Sequence, residues 1–196
     1  MEEMNWGLIV VVALVALAVG AALAWYLLRR RTSDRLKRQF GPEYDRAVAT
    51  SGDRAAAESE LREREQRVKR LDIRPLPAER RRHYAKLWRT VQSDFVDKPE
   101  ASVAAADQLV EEVMEARGYP MADFEERAAD VSVDHPHVVE NYRQAHALAL
   151  RAERGDATTE DLRQAMVHYR ALFEDLIDED VSDGLPRKER LAEAKR

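Results

Sequence analysis

The sequence contains no cysteine, which excludes disulfide bonds and thiolate metal ligands. Glycine and proline are scarce, with seven of each in 196 residues, so the chain has little of the turn chemistry that a many-stranded sheet needs. No segment shows the sustained alternation of a strand. The residues that are abundant, Ala, Glu, Arg and Leu, favour helices. The sequence therefore predicts an all-α protein.

Short motifs of common active sites are missing as well. The chain has no GxSxG elbow, no GxxxxGK[ST] or GxGxxG loop, no HExxH motif and no ExxH pair of the kind that builds di-iron bundles. We therefore expect no metal, no cofactor and no enzymatic activity. The net charge of −5 also argues against nucleic acid as a partner, because phosphates require a basic face.

One long apolar run stands near the beginning of the chain. Residues 7–28 read GLIVVVALVALAVGAALAWYLL without a charge, and about 20 such residues suffice for a helix to cross the hydrocarbon core. Trp6 lies at one end and Trp25 with Tyr26 at the other, where amphipathic rings favour the interface. The run predicts a single N-terminal transmembrane helix. A cleaved signal peptide is the alternative, but the preceding MEEMN has no Lys or Arg.

A basic stretch follows the apolar run at once. Residues 29–38 hold one acid and a stripe of basic residues that we expect to face the lipid bilayer: Arg29, Arg30, Arg31, Arg35, Lys37 and Arg38. Residues 39–196 carry a net charge of −8. Basic flanks stay on the cytoplasmic side, so we predict a cell inner membrane protein with its N-terminus outside and its soluble domain in the cytoplasm. An extracytoplasmic anchored domain and a secreted protein are the alternatives.

The chain divides into four predicted parts. An anchor covers residues 1–28, and a basic juxtamembrane segment with a charged helical arm covers residues 29–72. A bundle of about four to five antiparallel helices covers residues 73–181, and a flexible charged tail covers residues 182–196.

The predicted arm is charged on almost every side. Acids precede bases by four residues, a spacing that supports an exposed helix, in the pairs Glu58–Arg62, Glu60–Arg64, Glu63–Arg67 and Glu65–Lys69. The apolar positions form only a thin stripe, made of Ala57, Leu61, Val68 and Leu71. We predict a stalk or an arm laid on the body, and the stripe leaves a coiled-coil homo-oligomer open.

Local signals predict where the bundle helices begin and end. We expect helices at about 77–96, 99–117, 123–130, 136–154 and 158–178. Gly118 fits the left-handed position after the second of these, and Thr158 with Asp161 makes a capping-box-like start for the last. The last helix has the clearest apolar stripe: Leu162, Ala165, Met166, Tyr169, Leu172, Phe173 and Leu176.

The stretch ADVSVDHPHVVENYRQAHALA, residues 129–149, holds three of the five histidines. On a helical wheel His137 and His146 lie on opposite sides, so they cannot chelate one ion. We expect His146 to face the core and to bond a polar neighbour, for which Asp130 and Asp134 are candidates. The residues that could form a polar corner are Asp134, His135, Tyr142 and His146.

A group of strings covers most of the chain after residue 32: SDRLKRQFGPEYDRAV, LDIRPL, FVDKPEASVAAADQLVEEVMEARGYP, SVDHPHVVENYRQAH and LRQAMVHYRALFEDL. Together they resemble an uncharacterised bacterial family of small proteins with an N-terminal membrane segment and a helical soluble part, labelled hypothetical or secreted. The resemblance implies no activity and supplies no catalytic residues. Its secreted label conflicts with the topology that the flanking charges predict.

These features predict a single-pass anchored helical protein that binds another protein and serves as an interaction or scaffold module. The partner, whose identity the sequence does not reveal, is expected to contact the arm around Leu61 and Val68 or an exposed groove on the bundle. The alternative is a membrane-anchored enzyme or small-ligand binder that uses the polar corner of residues 134–146. A cavity lined by the corner side chains would favour that alternative, whereas a filled core would exclude it.

Overall fold

Residues 6–183 are described by a computed structural model, which gives the side chains of residues 14–21, 23, 26, 27 and 30–177. Its helices are α1 Trp6–Phe40, α2 Pro42–Ser51, α3 Arg54–Val68, α4 Ala78–Asp94, α5 Pro99–Arg117, α6 Phe124–Asp134, α7 Val139–Glu153 and α8 Thr159–Asp183. No strand occurs within residues 6–183. The prediction of an all-α helical bundle is confirmed.

The predicted transmembrane helix is wrong. In the part of the chain that the structure describes, no helix combines the length and the hydropathy needed to cross a membrane. The apolar run belongs to α1, a rod of 35 residues that continues through the basic stretch. Its last turns bury Leu36 and Phe40 completely inside the protein. The run was predicted as a separate element, whereas the helix that holds it ends in a protein core.

Several helix starts follow the predicted local signals. Asp53 caps α3 by accepting a hydrogen bond from the N–H of Ala55 at 3.0 Å. Thr158 and Asp161 cap α8 reciprocally, because the N–H of Thr158 donates to the Asp161 carboxylate at 2.8 Å and the N–H of Asp161 donates to the Thr158 hydroxyl at 3.1 Å. Pro42 is the first residue of α2.

Gly118 ends α5 in the predicted left-handed conformation, with φ 98°. The N–H of Gly118 donates to the carbonyl of Glu115 at 2.9 Å and the N–H of Tyr119 to that of Met114 at 3.0 Å, which closes the helix end. A Cβ atom at position 118 would lie 2.6 Å from the carbonyl oxygen of Asp72. Glycine is required here because the backbone has a positive φ and because the carbonyl of Asp72 leaves no room for a Cβ atom.

Helix bounds differ from the prediction on both sides of His135 and at the end of α8. α6 extends to Asp134, because the N–H of His135 donates to the carbonyl of Val131 at 2.8 Å. Pro136 lies in a turn, and α7 begins only at Val139. α8 runs to Asp183, so two residues of the predicted tail are helical, and residues 184–196 lie outside the described residues.

The larger core lies among α4 to α8. α5, α7 and α8 pack on one another, α4 packs on α5, and α6 packs on α7. Trp88 of α4 stacks on Phe173 of α8, with ring centroids 4.7 Å apart. The predicted apolar stripe of α8 is buried over its whole length: Leu162, Ala165, Met166, Tyr169, Leu172, Phe173 and Leu176.

A second, smaller core stands where an arm was predicted. It is formed by buried residues of α1, α2, α3 and α6: Leu36, Phe40, Tyr44, Ala47, Ala57, Leu61, Val68 and Val133. The stripe of α3 is buried because α2, α6 and the end of α1 pack on α3. Leu61 and Val68 are 0% exposed, so the predicted partner site around them is not accessible. Of the four predicted pairs, Glu60–Arg64 and Glu65–Lys69 form.

Candidate functional site

Asp134 is the last residue of α6 and His135 follows it, and each contacts a different neighbour. His135 is buried, and its Nδ1 lies 2.5 Å from Oδ2 of Asp175 in α8. Asp134 accepts a hydrogen bond from the Tyr119 hydroxyl at 3.3 Å. These two corner residues therefore tie the end of α6 to α8 and to the turn after α5.

Tyr142 lies inside the larger core. Its hydroxyl accepts a hydrogen bond from Nε of Arg127 at 3.3 Å. Burial raises the pKa of Tyr142 to about 12, against the opposing effect of the Arg127 guanidinium. Arg127 also donates to the carbonyl of Ala122 at 2.6 Å and forms an ion pair with Glu111. Tyr142 is thus a fully buried core residue whose hydroxyl is hydrogen-bonded.

His146 packs against an aromatic ring. Its imidazole stacks on Phe124 with centroids 3.7 Å apart and an interplanar angle of 10°. Its Nδ1 is buried and has no hydrogen-bond partner among the described residues. The carboxylates expected beside it are engaged elsewhere, Asp130 with Arg67 at 2.6 Å and Asp134 with Tyr119.

An open groove of about 700 Å³ passes beside His146. It is lined by Arg46, Asp123, Phe124, Glu125, Glu140, Arg143, Gln144, His146, Ala147 and Leu150. Asp134, His135 and Tyr142 are not among its lining residues, so this groove does not bring the four corner residues together. Among the described residues, no group of three or more His, Asp or Glu side chains could hold a metal ion.

Some residues of the predicted basic stripe pair with acids of the protein, and others are exposed without such a pair among the described residues. Arg35 forms a bidentate pair with Glu65, at 3.0 and 2.8 Å, and Lys37 lies 3.7 Å from Asp45. Arg30, Arg31 and Arg38 are exposed. The side chain of the sixth member, Arg29, lies outside the described residues. Arg35 therefore neutralises the buried Glu65 beside the small core, while its own side chain remains half exposed.

A buried ionic junction joins the two cores and was not predicted. Oε1 of Glu43 in α2 accepts hydrogen bonds from Arg64 of α3 and from Arg143 of α7, both at 3.0 Å. The three side chains are at most 9% exposed. Arg64 also donates to the hydroxyl of Ser132 in α6 at 3.2 Å. No local pattern predicts this junction: the i,i+4 spacing that pairs Arg64 with Glu60 gives no sign of Glu43 or Arg143, which lie far away in sequence.

Two further buried acids hold α1, α2 and α3 together. Glu58 accepts hydrogen bonds from Ser33 at 2.6 Å, Tyr44 at 2.7 Å and Arg54 at 3.0 Å. Burial opposes the charge of Glu58, but these three donors outweigh it and hold its pKa below the ordinary value. The pKa of Glu65 is also lowered, since Arg35 and Lys69 together outweigh its burial.

Asp130 of α6 is a contrasting case. Its carboxylate is 0% exposed and accepts two hydrogen bonds from Arg67, at 2.8 and 2.6 Å. Burial raises its pKa above the ordinary value although the guanidinium works in the other direction. Asp130 thus contributes a second charged link between α3 and α6.

Between Leu14 and Leu27, α1 exposes the apolar side chains that the structure describes. The large ones are 45–71% exposed: Leu14, Val15, Leu17, Val19, Leu23, Tyr26 and Leu27. Monomeric proteins rarely leave a large contiguous apolar surface uncovered, and such surfaces mark interaction sites.

Comparison of this chain with protein-family models, with curated proteins and with solved structures found no match.

Proposed function

We propose that this chain is a helical interaction module that attaches to a lipid surface through the N-terminal half of α1 and presents its helical body to a protein partner. The single observation that carries this proposal is the exposed apolar surface of α1 between Leu14 and Leu27. Exposed Arg30, Arg31 and Lys37 follow in the same helix, where they can meet anionic headgroups.

Lipid suits the exposed surface of α1 because apolar side chains lie all around this helix. Successive helical residues lie about 100° apart, so the exposed apolar side chains point to every side of α1. Acyl chains can surround such a helix where it inserts into one leaflet, whereas a groove on one partner covers a single side. The proposed contact is with lipid and does not require a helix that crosses the membrane.

An interaction role for the body is supported by the separation of the corner residues. His135 faces Asp175, Tyr142 faces Arg127, and His146 faces Phe124. Acid–base or nucleophilic catalysis requires such groups within hydrogen-bond reach of one reacting atom. This arrangement favours a protein-binding module over the enzyme or small-ligand binder.

Vesicle flotation tests the lipid contact. The full chain is mixed with uncharged phosphatidylcholine vesicles and compared with the double variant Leu17→Glu/Val19→Glu. The matched control is Met121→Glu/Val167→Glu, since both residues are 47% exposed on the body. Wild type and control should float. The α1 variant should partition at least roughly 100-fold less, because each apolar side chain transferred from water contributes about 1.5–3 kcal/mol.

Flotation of the α1 variant with wild-type affinity would remove the basis of the proposal. Failure of all three proteins to float, with α1 covered instead by other copies of the chain in a stable oligomer, would replace lipid by self-association.

A further inference from the structure

α4 carries cations that have no partner. Arg82, Lys86 and Arg89 are exposed, and their side chains form no ion pair or hydrogen bond within residues 6–183. The arginines of α7 and α8 behave differently, since each pairs with a carboxylate: Arg143–Glu125, Arg151–Asp161, Arg163–Glu160 and Arg170–Glu174. We call the three residues Arg82, Lys86 and Arg89 the α4 stripe.

The α4 stripe is a straight row on one side of the helix. Its members are four and three residues apart, so they fall within an arc of about 60° and span about 10 Å along the axis. Trp88 lies on the opposite side, where it is buried against Phe173. The stripe therefore points away from the core, and packing of α4 does not use it.

The bilayer proposed for α1 is a poor occupant for the α4 stripe. α1 packs on α2, α3 and α6, whereas the main packing partner of α4 is α5. α4 belongs to the larger core and the end of α1 to the smaller one. The stripe therefore lies on a helix that does not pack extensively on α1.

A long polyanion is a poor occupant as well. Glu79 in the first turn and Asp94 in the last turn of α4 bracket the stripe with negative charge. The chain as a whole has a net charge of −5, which repels nucleic acid outside the stripe. The short positive row fits a ligand with a few negative charges at matching spacing.

We propose that the α4 stripe binds an acidic helical segment of a partner protein, one that carries Asp or Glu at positions i, i+4 and i+7. Such a segment aligns three carboxylates with Arg82, Lys86 and Arg89. The inference rests on the proposed interaction function and names the class of its partner. Exposed charge pairs contribute little energy each, so the stripe supplies orientation and a fast, salt-sensitive association more than tight binding.

Fluorescence anisotropy with the full chain tests this contact. The probe is a labelled helical peptide with Glu at i, i+4 and i+7, and a second peptide has Lys at the same positions. The stripe variant is Arg82→Glu/Lys86→Glu/Arg89→Glu. The matched control, Arg154→Glu/Arg163→Glu/Arg170→Glu, changes the net charge equally at arginines that already have acidic partners. Circular dichroism verifies that both variants remain helical, and Arg82→Gln/Lys86→Gln/Arg89→Gln serves as a milder version.

The Glu peptide should bind wild type and control, and its affinity should drop roughly tenfold or more for the stripe variant, as expected for the loss of three exposed pairs. The stripe variant should instead bind the Lys peptide, and added salt should weaken both complexes. Equal losses for stripe variant and control, or no binding by wild type, would overturn the inference. Stripe-dependent binding of anionic vesicles or of an RNA oligomer in place of the peptide would also overturn it. The flotation assay on uncharged vesicles reports on α1 alone, so failure of the lipid contact and failure of the stripe give different results.

Discussion

Arg143 of α7 donates a hydrogen bond to Glu43 of α2 at 3.0 Å, although 100 residues separate the two in sequence. Arg64 of α3 donates to the same carboxylate oxygen at 3.0 Å. One buried acid therefore links the small core to the larger one. The two apolar clusters also meet at Ile73, which packs against both.

Replacing Glu43 by Gln should destabilise the protein by about 1–3 kcal/mol, because two buried guanidinium groups would lose the carboxylate that they share, while Arg64 keeps its pair with Glu60 and Arg143 its pair with Glu125. Urea unfolding followed by circular dichroism measures the change. The control is Glu140→Gln, since Glu140 lies 3.9 Å from Arg46 in an exposed pair and should contribute less than about 1 kcal/mol. Equal effects of the two substitutions would show that the junction does not join the cores.

Gly118→Ala should cost clearly more than Gly155→Ala. Both glycines have positive φ, 98° and 74°, so either alanine adopts a disfavoured backbone conformation at about 1–2 kcal/mol. Only at position 118 does the new Cβ meet a backbone atom, the carbonyl oxygen of Asp72, at 2.6 Å, whereas nothing lies within 4 Å at position 155. Thermal unfolding of the two variants provides the comparison, and equal melting temperatures would contradict the close approach.

Acid should weaken the small core through Glu58 and Glu65. Both pKa values lie below the ordinary 4.5, so the folded state holds these protons less tightly than the unfolded state. Their stabilisation is complete above about pH 4.5 and is lost as the pH falls through the folded pKa values. The free energy of unfolding, measured between neutral and acidic pH, should therefore decline in that range.

The double variant Glu58→Gln/Glu65→Gln should be less stable at neutral pH and should show a flatter pH profile. Glu63→Gln/Glu153→Gln alters two exposed acids and should retain the wild-type profile. A wild-type profile for the first double variant would mean that other groups govern the acid sensitivity.

Leu61→Ala tests whether α3 is packed. Leu61 is 0% exposed, so its truncation should leave a cavity and cost about 2–5 kcal/mol. Leu150, which is 40% exposed, supplies the same substitution at the surface, where we expect less than about 1 kcal/mol. If chemical denaturation gave similar small values for both, α3 would behave as an exposed stalk, one of the two arrangements that its charge pattern predicted.

The local part of the fold was predictable for α5 and α8. The left-handed Gly118 and the reciprocal cap between Thr158 and Asp161 depend on residues within a few positions of each other. The environment of the charged α3 was harder to predict, because its pattern of paired acids and bases is the same whether solvent or another helix lies beside it. Burial of Glu58 and Arg64 requires donors and acceptors from α1, α2 and α6, which no pattern within α3 reveals.

The candidate site shows the same division. Tyr142 and His146 were correctly assigned to one helix, but helical spacing does not specify which neighbour each side chain meets. Only the packing of α6 and α8 on α7 directs His135 to Asp175, Tyr142 to Arg127 and His146 to Phe124.

By itself, the sequence determined that this protein is helical, where several helices begin and end, and which face of α8 is apolar, because propensity, capping and periodicity act over a few residues. The tertiary structure decided that α1 runs on into a core, that α3 is covered, and that Glu43 meets Arg143. Those outcomes depend on free energies of burial and pairing that exist only after distant helices have come together.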